Sequence, residues 1–362
     1  MAKARTPRNK HNNRKKQMTN MKEVYYIETD NNVLTTFYLD IIKEALSKLG
    51  FNIKRLQTPT EAIIKKVPRK AWFLTTGHKN VTKLTLLGYK NIINWFQGLP
   101  SEEDFLITRN KFRYQAINLL DNITFRCTKY GFYVSQEQID YFKEKFKFTP
   151  QNTFIMPCFN ETIKESAFST PNKYVKNTFC YVGTTGAWQR FNDIVALYAK
   201  LEQHDPNCFF KILTPDTEDA KRLIELHNVK NYSIKCVPGD QVSKEIADCK
   251  FGFIIRNNSI INQVATPTKF CNYLSNGLIP IISDTIRSYS RLAETNPYII
   301  VVNDDNAYDT ACEQLCRHFS AQEVLNAHRQ TFNSYFNRSL YVEQITASLK
   351  EFFKNQEQVF FQ

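Results

Sequence analysis

From Met21 onward, short apolar runs alternate with stretches whose apolar residues recur three and four positions apart. Val24–Ile27 reads as a β-strand. Phe37, Ile41, Ile42, Ala45, Leu46 and Leu49 then fall at helical spacing, and Gly50 supplies the stop. Trp72–Leu74, Ile92–Phe96 and Thr153–Met156 are further strand-like runs. Ser135 followed by Gln138 has the form of a capping box opening a helix with Ile139 and Phe142. A polar stretch, 160–177, with Ser, Thr, Lys and Pro171, reads as an interdomain linker. The rhythm restarts with Phe179–Val182, which ends at Gly183, and with a helix marked by Ile194, Leu197, Tyr198 and Leu201. Phe209–Leu213, Tyr232–Val237, Phe251–Ile255, Leu278–Ile282 and Tyr298–Val302 read as strands, and Ser320 with Glu323 as a second capping box. Strands separated by helices predict parallel sheets covered on both faces. The expectation is an α/β chain of two Rossmann-like, doubly wound domains, 22–165 and 170–335, facing an interdomain cleft. A terminal helix within 336–362 is expected to pack back on the first domain. Ligands belong at the carboxyl ends of the strands.

Composition narrows this picture. The 362 residues are 42% hydrophobic and 14% aromatic, enough for two real cores. No 18-residue stretch is uniformly apolar, so no transmembrane helix is expected, and the chain does not open with a secretory signal. Nine Cys without a CxxC pair read as reduced thiols of a cytoplasmic protein. Six isolated His give no metal site. The net charge is +13, and residues 1–20 carry seven Lys/Arg and no acid. The segment 1–21 therefore reads as a disordered tail. An anionic membrane surface, nucleic acid and plain solvation of the tail compete as explanations of its charge.

One segment carries chemistry. A buried run, Phe251-Gly-Phe-Ile-Ile, ends in Arg256. After a loop, a helix begins near Pro267, with Thr266, Thr268 and Lys269 around its start, and ends at Gly277. Free N–H groups, the helix dipole, Lys269 and Arg256 together suit a diphosphate. A first-turn Lys opposes the helix dipole, which makes an anion partner the better explanation of Lys269. Gly183 reads as a turn glycine or as a place where a donor approaches the backbone.

This segment resembles the donor-binding motif of retaining, family-four-type glycosyltransferases of the GT-B fold. Pro267, Lys269, Phe270, Tyr273, Leu274, Gly277, Pro280 and Ile281 carry the resemblance. The run Phe179-Cys-Tyr-Val-Gly-Thr-Thr-Gly-Ala-Trp-Gln-Arg190 is similar to the family's first donor-domain loop. Asn91–Glu103, Phe132–Ser135 and Ile155–Pro157 resemble acceptor domains of capsule and surface-polysaccharide members. The family's two Glu, however, fall on Val264 and Asn272, and its first-loop Arg and Lys fall on Thr184 and Gln189, with Arg190 adjacent.

The resemblance implies transfer of a sugar from a nucleotide-sugar to a glycan or lipid-linked acceptor, with retention and without a metal or other cofactor. Arg256, Lys269 and His78 are the expected catalytic groups. Gly183, Thr184, Gln189, Arg190, Thr266, Pro267, Thr268 and Asn272 are expected at the donor, and Gln97, Glu102 and Glu103 at the acceptor. From the residues themselves, Glu102 and Glu103 also read as a capping pair for the next helix. The implied place is cytoplasmic, peripheral to the membrane's inner face. A sugar-nucleotide epimerase of the same architecture, a basic nucleic-acid-binding protein and a non-catalytic interaction protein are the alternatives. No paired cleft carboxylates favour the first, and no aromatic–basic binding motif favours the second.

Overall fold

The computed structural model describes residues 23–28 and 33–359; the basic segment 1–21 lies outside them. The described chain forms two compact units. One runs through Tyr133, takes up Phe142–Phe154 and resumes at Arg338; the other is Val134–Tyr141 with Ile155–Asn337.

The first unit holds β1 (Glu23–Glu28), β2 (Asn52–Gln57), β3 (Trp72–Thr76), β4 (Ile92–Phe96), β5 (Tyr130–Tyr133) and β6 (Thr153–Ile155). Their order is β2-β1-β3-β4-β5-β6. The second holds β7 (Thr178–Val182), β8 (Phe209–Leu213), β9 (Tyr232–Lys235), β10 (Phe251–Ile254), β11 (Ile279–Ser283) and β12 (Ile300–Val302), in the order β12-β11-β10-β7-β8-β9. All its pairings are parallel. Every residue of β10 and β11 is buried, as covering on both faces requires. Phe251 and Phe253 share one face by the strand period of two. Phe179 stacks on both, at 4.9 and 5.1 Å between ring centroids.

The helix Thr268–Ser275 ends in a Schellman motif. Leu278 N–H donates to Tyr273 O (2.9 Å) and Gly277 N–H to Leu274 O (3.1 Å), with Gly277 at φ 72°. The stop read from Gly277 is thus in place. Ser135 Oγ accepts from Gln138 N–H at 3.2 Å, and Gln138 Oε1 accepts from Val134 N–H at 3.0 Å.

One reading needs revision. The stretch 160–177 is not an interdomain linker but part of the second unit. Phe168 and Lys173 in it are each 1% exposed. Lys173 Nζ donates to Ala247 O and Asn276 O, both at 2.6 Å, and burial pushes its pKa down to about 8. A buried ammonium that seals helix-end carbonyls looks, in composition, like any linker lysine. The helix pair Pro100–Thr108 and Lys111–Cys127 was foreshadowed only by the acidic pair Glu102 and Glu103. The last helix, Arg338–Val359, lies within the expected 336–362. It belongs to the first unit, where Phe353 packs on Phe51 and Trp72 (4.6 and 5.1 Å), and Tyr130 shares a 2.6 Å hydrogen bond with Ser348.

His328, wholly buried in the second unit, sets a pH limit on stability. Nε2–H donates to Leu278 O (2.8 Å), and Nδ1 accepts from Asn296 Nδ2 (3.1 Å), which fixes the neutral ring. Burial pushes its pKa down from 6.5 to about 4. The unfolded chain therefore binds the extra proton between these values. The folded state loses stability as pH falls through that window, by up to about 3 kcal/mol at 1.4 kcal/mol per unit. Urea melts at pH 7.5 and 5 should show this loss, and His328→Gln should flatten it. Equal slopes in parent and variant would assign the acid sensitivity elsewhere.

Candidate functional site

The order of the second sheet reverses at β7, which has β8 on one side and β10 on the other. At such a switch point the flanking connections leave in opposite directions and open a crevice beyond the strand ends. Here the opening is wedged further. β7 and β10 pair only through Phe179↔Phe251 and Cys180↔Gly252. Beyond that pair Tyr273, from the 268–275 helix, fills the gap. Its hydroxyl accepts from Val182 N–H (3.1 Å) and donates to Phe253 O (3.4 Å). Its ring lies on Gly252, where a Cβ would stand 2.5 Å from Cδ2.

Two cations stand near these strand ends. Arg256 lies two residues past β10. Its backbone is held by Ser283, whose Oγ accepts from Arg256 N–H (2.7 Å) and donates to Arg256 O (3.2 Å). Its guanidinium donates to Trp188 O at 3.1 Å. Lys269 stands in the first turn of the 268–275 helix. Its Nζ donates to Gln189 Oε1 (2.7 Å) and sits 4.5 Å from the Tyr181 ring centroid. Gly183 follows β7 at φ 134°, a conformation that side chains disfavour, and a Cβ there would be 3.0 Å from Lys269 Nζ.

Arg256 is 7% and Lys269 9% exposed, and among the described residues neither has a carboxylate partner. Burial, with Arg256 adding repulsion, holds the Lys269 ammonium well below its ordinary pKa; burial pushes Arg256 down to about 10. Two desolvated like charges without a counter-charge are costly. The arrangement is complementary to an anion, and the amino end of the helix adds partial positive charge.

The other expected donor residues divide. Gln189 is the partner of Lys269, and Thr184 O accepts from Tyr181 Oη at 2.5 Å. Pro267 precedes the helix as its cap residue rather than standing in its first turn, and Thr268 begins it. Thr266 Oγ1 accepts from Cys158 N–H at 3.0 Å and so anchors the loop. Asn272 Oδ1 is buried and has no partner among the described residues. Val264 is 2% exposed, packed as an apolar residue. Arg190 pairs with Asp193 and Asp304.

In the first unit, a cavity of about 620 Å³ lies at the carboxyl ends of β3 and β4. His78, Gln97 and Glu103 line it, as do Asn94, Trp95 and Asp121. His78 Nδ1 is 3.2 Å from Asp121 Oδ1, and Asp121 Oδ2 accepts from Ser101 N–H at 3.1 Å. Glu103 Oε1 accepts from Leu99 N–H at 2.9 Å. Its carboxyl opens on the cavity yet is walled by protein, which together with nearby Asp121 raises its pKa. Gln97 reaches Thr35 Oγ1 at 3.4 Å. Glu102 is not among the lining residues: Lys145 (2.7 Å) and the Tyr114 hydroxyl (3.0 Å) hold it.

Sequence reading missed Asp121 and Asn94. Asp121 sits on the face that also buries Thr124 and Phe125, and an acid on a core-facing helical position was the available signal. Asn94, in mid-strand, is fully buried with neither amide atom partnered among the described residues.

No protein-family model matches the chain, and no curated protein matches it by sequence. Solved structures do match in fold. Sucrose-phosphate synthase from Thermosynechococcus elongatus is 11% identical, with 92% of this chain and 100% of that one covered, at a TM-score of 0.67. Anabaena HepE, solved with UDP and glucose, is 9% identical, with 91% and 100% covered and a TM-score of 0.65. A point mutant of S. aureus TarM, in complex with fondaparinux, alpha-GlcNAc-glycerol and UDP, is 14% identical at a TM-score of 0.56. That match covers 78% of this chain and 55% of TarM. The chain thus has the two-unit, Rossmann-like α/β fold of GT-B glycosyltransferases.

Proposed function

We propose that the chain is a glycosyltransferase that takes a sugar from a nucleoside-diphosphate donor bound at the β7/β10 crevice. The observation that carries this reading is the buried pair Lys269 and Arg256, cations without a carboxylate partner among the described residues. UDP in the HepE and TarM complexes supports a nucleoside diphosphate as the anion. In this reading Lys269 exchanges Gln189 for the diphosphate, and Arg256 presents its fork to two phosphate oxygens. Gly183 leaves room for the donor beside Lys269. Asn272 Oδ1 accepts from a ribose hydroxyl, in the place where the resembled family has a Glu. The same cations stabilise the charge that develops on the leaving diphosphate, so the step asks for no metal. Retention of configuration and an acceptor that is a surface glycan or lipid-linked sugar follow from the resemblance. The polar cavity of the first unit, with His78, Gln97 and Glu103, is the acceptor's place.

Thermal-shift titration with UDP, GDP, CDP, ADP and their sugars tests the reading. A ligand at 100 times its Kd should add about 2.7 kcal/mol of stability. No response to any of them would remove the donor site.

A further inference from the structure

The helix Lys111–Cys127 has two apolar faces, and one of them is unused within the described fold. Thr124 and Phe125 are buried against the first unit, whereas Phe112 is 91% and Leu119 58% exposed. Phe112, Ala116, Leu119 and Ile123 recur at four, three and four residues, which places them on one stripe of the helix. The preceding helix, Pro100–Thr108, packs against this one and adds Ile107, 69% exposed, beside their joint. The helix His78–Leu86 also packs against this one and adds Leu86, 83% exposed. Leu86 and the neighbouring Leu120 line one shallow pocket with Lys79 and Lys83.

Charge selects the partner. Residues 61–120 contain ten Lys/Arg and four Asp/Glu. All four acids are engaged: Glu61 by Lys65, Glu102 by Lys145, Asp104 by Arg113 and Glu103 by the Leu99 amide. Arg109 and Lys111, both exposed, flank Phe112 at the helix joint. Cations alone would suit any polyanion. A nearly fully exposed Phe within an apolar stripe has nothing to gain from a phosphate backbone in water, and much to gain from the boundary between lipid headgroups and acyl chains.

We propose that this face of the first unit docks on an anionic lipid bilayer, with Phe112 and Leu119 entering the headgroup boundary and the surrounding Lys/Arg meeting lipid phosphates. The proposal stands on this surface alone and not on the reading of the donor site.

Flotation of the full chain with phosphatidylcholine vesicles, with and without 25 mol% phosphatidylglycerol, tests it. The parent should float with the anionic vesicles only. Phe112→Ser with Leu119→Ser should weaken that binding at least tenfold and leave the melting temperature and any nucleotide-induced shift unchanged. The difference should persist at 0.5 M salt, where the contribution of exposed charges is screened. A double variant that floats as well as the parent would overturn the proposal. So would a parent that ignores anionic vesicles, or one that an oligonucleotide strips from them equally with or without the two substitutions.

Discussion

Lys269→Ala should weaken nucleoside-diphosphate binding by ten- to a hundredfold, because a charge-assisted contact is worth roughly 1.5–3 kcal/mol and 1.4 kcal/mol is a decade. Turnover should fall further, by about a hundredfold or more, since the leaving diphosphate carries more localised charge than the bound donor. Calorimetry on folded variants checks the first figure and donor-consumption assays the second. Arg256→Lys should also lose affinity, because an ammonium cannot reproduce the guanidinium fork. Asn272→Ala should lose less, as it removes one neutral hydrogen bond. Proton linkage gives an independent readout. In the free protein burial and Arg256 depress the Lys269 pKa, and a bound diphosphate would raise it. Binding then takes up protons, and affinity falls as pH rises above the free-state value. Calorimetry in buffers of different ionisation enthalpy measures that uptake. Charge variants that bind every nucleoside diphosphate like the parent would leave the crevice without a donor.

The second large effect concerns stability. Gly252→Ala places a methyl 2.5 Å from Cδ2 and 2.6 Å from Cε2 of Tyr273. Tyr273 is fully buried and tied to β7 and β10 through its hydroxyl, so the ring cannot swing aside cheaply. The expected loss is about 2 kcal/mol after the small gain from a stiffer unfolded chain, and about 3 kcal/mol or more for Gly252→Val. Tyr273→Phe keeps the ring and removes only the hydroxyl, at about 1–2 kcal/mol. Because the same helix carries Lys269, Gly252 variants should also bind nucleotide less well, whereas Tyr273→Phe should bind it nearly as the parent does. Urea unfolding paired with nucleotide titration separates the two. An unperturbed Gly252→Ala protein would mean that the Tyr273 wedge is not rigid.

Much of this was legible in the chain. Alternating strand-like and helical patterns determined two parallel α/β units, because a strand buried on both faces must be apolar throughout. Arg256 at a strand end, Pro267, Lys269 and Gly277 at fixed spacing marked the crevice, because helix starts and stops have local chemical signatures. Tertiary structure decided what spacing cannot. Arg190 and Lys269 look alike in sequence, yet Arg190 is met by Asp304, 114 positions away, and Lys269 meets a glutamine. Glu102 and Glu103 are adjacent, but a helical turn of 100° sends one to Lys145 and the other to the cavity. Lys173 reads as a linker lysine until the carbonyls it seals are brought to it. Each of these outcomes depends on partners distant along the chain, and a charge has no fixed role until folding chooses its neighbours and its exposure to water.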